Sequence, residues 1–329
     1  MKYGCFKIAL AALLSFVLVQ GVHAQKSDEK DVVTKIDPET ELAIDKALEY
    51  LGKSQKADGS WGDGNKVART ALALMAFMAK GHMPEQEPYG DQMSKGIDYL
   101  LKESKSGRGY MGRVMYEHGF ATLALSEVWG MTSRDKEVRQ ALKRGVDVII
   151  RAQSTHGAWW YGPQGGTGHG DISVTVVQCV ALASAKEAGI FVPDETIDKA
   201  MTFVKYCQVK SNGGFGYVGP GAPGYARTAA GCAALSLCGQ RDYPGFQQGI
   251  KWMQANVEEQ KFWSYGRYYA TIAMLHSGDE DYQKFYKPVH DKLMAAQNRN
   301  GSWVDHDAGM YMAILILGTP YRFIPIYQR

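Results

Sequence analysis

Apolar residues along this chain follow two alternating helical regimes. In the first they recur at helical spacing and mark a single stripe: Leu42, Leu48 and Leu51 together with the Lys46 stem, then Ile97, Leu100 and Leu101, then Val146, Ile149 and Ile150, then Met201, Val204 and Cys207, then Ile250 and Met253. Such spacing predicts helices with one buried face. In the second, residues 68–79, 119–128, 174–185, 228–237, 270–275 and 310–317 are apolar nearly all round and rich in Ala and Gly. A helix of that kind must be enclosed. The chain therefore reads as a series of helix hairpins, one member facing water and one buried.

The connections inside these hairpins resemble one another. Gln55-Lys56-Ala57-Asp58-Gly59-Ser60-Trp61-Gly62 returns as Gln153 with Gly157-Ala158-Trp159, as Gln208 with Gly213-Gly214-Phe215-Gly216, and as Gln297 with Gly301-Ser302-Trp303. Weaker copies lie at Gly107-Arg108-Gly109-Tyr110 and at Gln260 with Trp263-Ser264-Tyr265-Gly266. The six aromatics are separated by 49, 49, 56, 48 and 40 residues. Periods of that size mark an array of supersecondary units. The turn glycine is expected to supply the left-handed geometry that ends the first helix, the aromatic to lie against a neighbouring repeat, and the Gln to bond to open helix termini.

A Gln followed by Gly-x-Trp, recurring between paired helices, resembles the repeats of the squalene cyclase and protein prenyltransferase superfamily, over nearly the whole chain from about Leu42. The resemblance implies an all-α fold: an α/α toroid, or α6/α6 barrel, of six hairpins closed around a central cavity. The stretches Met115–Thr122, Gly170–Thr175 and Tyr321–Arg329 look like an exported bacterial branch of such repeat proteins.

The chain ends bear on location. Lys2 and Lys7, the apolar run Ile8–Val19 and Val22-His23-Ala24 predict a signal peptide over residues 1–24, cleaved after Ala24. A flexible lead-in over 25–40 and a repeat domain over 41–329 follow, and a periplasmic or secreted protein is expected. Without the leader's two lysines, the 37 basic and 34 acidic residues nearly balance. Nothing in that balance points to nucleic acid. No later apolar run reaches the ~18 residues of a membrane span. Cys179, Cys207, Cys232 and Cys238 are expected as free thiols, and no metal-type spacing or cofactor motif is present.

Candidate chemistry lies where the buried helices begin, because first turns carry unpaired amides and a positive partial charge. His118, Asp171, Arg227 and Tyr268 are the candidate catalytic residues there. Candidate ligand contacts are Arg69, Tyr116, Glu117, His169, Ser173, Thr175, Tyr225, Tyr269, Asp305, His306, Asp307 and Tyr311. Simpler readings compete: Asp171 before Ser173 is an ordinary helix cap, and His118 in an Ala-rich helix is an ordinary core histidine. The known activities of the superfamily fit poorly. Asp279-Glu280-Asp281-Tyr282 lacks the fourth acid of the cyclase motif and sits outside a buried helix start. Ser173 stands where the prenyltransferase zinc site needs Cys after Asp171, Ala230 where it needs Asp before Cys232, and Leu235 where a thioester beside Cys232 needs Gln.

Two functions remain. The first is an exported binding or scaffold protein for an unidentified small molecule or envelope protein. The alternative is an enzyme acting on an isoprenoid or saccharide in the central cavity with a different catalytic set. Convergence of His118, Asp171, Arg227 and Tyr268 on one pocket would favour the enzyme.

Overall fold

A computed structural model describes residues 36–168, 170–304, 309–325 and 328. The expected signal peptide lies outside them. Among the described residues the chain forms twelve α-helices: α1 Pro38–Ser54, α2 Lys66–Ala79, α3 Gly90–Ser106, α4 Met115–Val128, α5 Asp135–Ala152, α6 Ile172–Glu187, α7 Asp194–Tyr206, α8 Tyr225–Leu237, α9 Pro244–Ala255, α10 Trp263–Ser277, α11 Asp279–Ala296 and α12 Gly309–Gly318. Even-numbered helices are the all-round apolar ones. Each packs on the next, α2 to α4 and onward to α12, and α12 returns to α2. The inner ring is closed, with the odd-numbered helices outside it.

The repeated connection explains how neighbours are held. The Gln that follows an outer helix donates through its side-chain amide to a carbonyl in the first turns of the next outer helix: Gln55 to Gln92, Gln153 to Thr196, Gln208 to Gly245 and Gln297 to Ala43, at 2.7–2.8 Å. It does not cap open termini, as expected from sequence, but staples hairpin to hairpin. The last of these staples joins the final repeat to α1. Four residues beyond each accepting carbonyl the chain places Gly96, Ala200, Gly249 or Ala47. The small size is needed, since a Cβ on Gly96 would lie 2.9 Å from the Trp61 ring.

The aromatic then fills the gap. Trp61, Trp159 and Trp303 donate their indole N–H to the carbonyls of Leu51, Ile149 and Leu293 in the preceding outer helix. The glycines Gly59, Gly157, Gly213 and Gly301 have φ of +83° to +86°. They lie in the turn after the helix and not at its cap, because Gln55, Gln153 and Gln297 leave the helix in extended geometry. A side chain on Gly157 would also strike the Lys199 carbonyl, 2.1 Å away.

Three expectations need correction. Leu42 is 53% exposed, and Ile44, Ala47, Leu48 and Leu51 form the buried stripe of α1. In the second repeat Met111, not Tyr110, takes the aromatic's place, as its backbone bond to His118 shows below. The fifth connection does not follow the pattern: Gln260 donates only to Glu258 in its own loop, and Trp263 opens α10 half-buried.

The C-terminal segment covers the seam. Tyr321 accepts from Lys80 and donates to Glu41, its ring stacks on Phe323, and Phe323 lies over Gly81. All four described cysteines are free thiols, and Cys179, Cys207 and Cys232 are buried. No helix among the described residues is long and apolar enough to cross a membrane.

Candidate functional site: the central cavity

Closure of the inner ring leaves a cavity of about 830 Å³ at the N-terminal ends of the inner helices, and all six contribute to its wall. Arg69 and Leu72 come from α2, Tyr116, Glu117 and Phe120 from α4, Ser173 from α6, Arg227 from α8, Tyr265 from α10 and Met312 from α12. Tyr161, Tyr217, Lys261 and Phe262 enter from the connections. Tyrosines dominate one side: the Tyr161 and Tyr217 hydroxyls are 3.3 Å apart, and the Tyr116 ring lies 5.8 Å from Tyr161 and 6.4 Å from Tyr265. Tyr265 donates to the Ser173 carbonyl at 2.9 Å, which fixes its ring. Burial pushes the pKa of Tyr116 and of Tyr265 well above the usual phenol range, so both hydroxyls stay protonated.

The charged groups are similarly held. Glu117 accepts the Arg113 backbone N–H at 2.6 Å, and Arg227 donates to the Ala222 carbonyl at 2.7 Å. The Arg69 guanidinium lies 6.0 Å from the Tyr311 ring, within cation–π range. Tyr311 itself is buried in α12.

Of the four candidate catalytic residues only Arg227 reaches this wall. His118 is fully buried: its Nδ1 accepts the Met111 N–H at 3.1 Å, which fixes the tautomer, and Nε2–H donates to the Gly145 carbonyl at 3.0 Å. Thr70, Thr175 and Thr228 accept the corresponding N–H of Trp61, Trp159 and Phe215. His118 therefore holds the second repeat's connection in place, as threonine does in three others. Burial lowers its pKa to about 4.

Asp171 caps α6, accepting the Ser173 and Val174 N–H groups at 2.8 and 2.9 Å and the Ser173 hydroxyl at 2.5 Å. Burial raises its pKa, opposed by the bonds from Ser173 and Val174 and by the nearby Tyr217 hydroxyl. Tyr268 is buried behind Tyr269, ring centres 4.9 Å apart, and its hydroxyl has no hydrogen-bond partner among the described residues.

Among the expected ligand contacts, Arg69, Tyr116, Glu117 and Ser173 line the cavity. Thr175 serves the Trp159 backbone, Tyr269 supports Tyr265 from behind at 4.7 Å, and Tyr225 belongs to a different pocket. His169, Asp305, His306 and Asp307 lie outside the described residues.

Tyr161 and Tyr217 were not anticipated from the sequence, although a signal was present. Each follows the repeat's aromatic by two residues, and each offers its carbonyl to the first N–H of the preceding inner helix, Met115 and Ile172 respectively. The same bond that sets the helix start thus turns a tyrosine toward the cavity.

Solved structures share this architecture. A variant of a type II terpene cyclase from Scytonema, bound to geranylgeranyl dihydroxybenzoate, matches 88% of this chain and 98% of its own at TM-score 0.61 and 14% identity. An inactive variant of an α-1,6-mannanase from Salegentibacter, bound to α-1,6-mannotetrose, matches 87% of this chain and all of its own at TM-score 0.65 and 9% identity. The chain is an α/α toroid. No protein-family model and no curated protein matches it. At these identities the toroid fold is what is shared, and it is a fold that carries a terpene cyclase in one relative and a glycan hydrolase in the other.

Proposed function

We propose that this toroid is an exported binding protein that holds a small molecule in its central cavity without transforming it. The observation that carries the reading is the dispersal of the candidate catalytic side chains. His118 has both ring nitrogens committed to backbone groups, Asp171 spends Oδ1 on the first turn of α6, and Tyr268 lies behind the wall. Arg227 alone lines the cavity. A proton-transfer site needs its members within hydrogen-bond reach of one reacting atom, and these four do not meet.

What the cavity does offer is a wall for recognition. Leu72, Phe120, Phe262 and Met312 provide apolar surface, four tyrosines provide flat faces with hydroxyl rims, and Arg69, Arg227, Lys261 and Glu117 provide charge. A volume of about 830 Å³ lies within the range of small-molecule sites. The wall suits a ligand with an apolar or aromatic body carrying polar groups.

The test uses protein purified from its own cell envelope. The bound molecule is released by denaturation, identified by mass spectrometry and returned to ligand-free protein. Recovery of the molecule unchanged, together with its absence from an Ala68→Trp variant whose indole occupies the cavity, is expected. Conversion of the returned molecule to a product would replace the binding reading with the enzymatic one.

A further inference from the structure

The broken fifth repeat leaves a second space. Where the other connections insert Trp61, Met111, Trp159, Phe215 or Trp303, the 256–262 connection contains no glycine and sends no such side chain inward. A pocket of about 480 Å³ opens between α9, α10 and α11, walled by Val257, Met274, Phe285 and Val289. Two buried polar residues form its inner end. Arg267 is 4% exposed and Tyr225 2% exposed. The guanidinium stacks on the Tyr225 ring at 3.6 Å and donates through Nη2 to the Val257 carbonyl, but beyond their interaction with each other Nη1 and the Tyr225 hydroxyl have no hydrogen-bond partner among the described residues.

A buried guanidinium with an unmet donor is costly, and so is a buried phenol. The Tyr268 and Tyr282 hydroxyls also lack partners among the described residues, but the Arg267–Tyr225 pair is set apart by the open space that it borders. Lys284, Lys292 and Glu258 also line the pocket; Lys284 is paired with Glu280, and Glu259 accepts the Tyr225 backbone N–H beside Arg267. Lys292 and Arg267 both lie within cation–π distance of the Trp263 ring, at 4.8 and 5.8 Å. Both unmet atoms can donate, and Val257, Met274, Phe285, Pro288 and Val289 make much of the remaining wall apolar.

We propose that this pocket is a binding site for a small carboxylate with an apolar body, its carboxylate accepting from Arg267 Nη1 and the Tyr225 hydroxyl. A planar carboxylate suits a guanidinium flanked by a second donor. The apolar body then covers Phe285 and Val289. This site is separate from the central cavity and does not depend on what that cavity holds.

Octanoate and octan-1-ol, equal in chain length and different in charge, test the assignment by isothermal titration. Saturable one-to-one binding of octanoate is expected, weakened about tenfold for octan-1-ol and for Arg267→Gln, and about threefold or more for Tyr225→Phe. Ala68→Trp, which fills the central cavity, leaves octanoate binding at this pocket in place. Circular dichroism checks each variant; should Arg267→Gln not fold, Tyr225→Phe, which removes one oxygen, carries the test. Equal binding of the alcohol, indifference to both variants, loss in Ala68→Trp, or no saturable binding would each overturn the proposal.

Discussion

Replacing Gln297 by Ala removes the staple that joins the last repeat to the first. Its amide donates to the Ala43 carbonyl at 2.8 Å and to the Gly301 carbonyl at 3.0 Å, both in a half-buried setting. A neutral hydrogen bond contributes a net ~0.5–1.5 kcal/mol, so the two together contribute about 1–3 kcal/mol. Against a typical total of ~5–15 kcal/mol, that loss is readily measured. Urea denaturation followed by far-ultraviolet circular dichroism reads it as a lower midpoint at unchanged slope. The control is Gln260→Ala, in the repeat that lacks the staple. Gln260 donates to Glu258 in its own loop and accepts from Lys292 on an exposed surface. It should cost less than about 0.5 kcal/mol. Equal losses in the two variants would refute the view that this Gln joins hairpins.

The aromatics should separate in the same way. Trp61→Ala, which empties a fully buried slot and removes the indole bond to the Leu51 carbonyl, should cost roughly 3–5 kcal/mol, while Trp263→Ala at the half-buried start of α10 should cost under about 1.5 kcal/mol; denaturation midpoints measure both. His118 makes stability depend on acid. Its folded pKa of about 4 lies below the ordinary 6.5, so the folded state prefers the neutral ring and unfolding takes up a proton. Its contribution is complete above pH 6.5 and is lost as pH falls toward 4, on the order of 3 kcal/mol for that shift. His118→Thr, which restores the residue used at Thr70, Thr175 and Thr228, should flatten the stability profile across that window; an unchanged profile would contradict the assignment.

The ring of hairpins was legible because its causes are local. Apolar periodicity marks each helix, and the Gln-Gly-Trp spacing marks each turn. The inner helices nonetheless begin earlier than the apolar runs suggest: α4 at Met115 and not at Gly119, α10 at Trp263 and not at Ala270. Their first turns face the cavity and so carry polar residues, which hides the boundary. That is also where the site lies. Residue type at a helix start placed Arg69, Tyr116, Glu117, Ser173 and Arg227 on the wall, but could not tell Tyr116 from His118, two positions on and turned into the core. Lys261 and Phe262 come from a connection that has lost its repeat, where no pattern remains to place them. Thr175 and His118 could not be placed from sequence for one reason: a polar side chain in an apolar helix looks like chemistry until its backbone partner across the hairpin is known.

Closure of the inner helices into a ring is the claim on which the cavity and its use depend, and small-angle X-ray scattering of the protein without residues 1–35 tests it most directly. A compact chain of about 290 residues has a radius of gyration of about 19 Å. The closed toroid predicts that value, with a symmetric distribution of interatomic distances. A larger radius with a tail of long distances, as from an open superhelix, would contradict it.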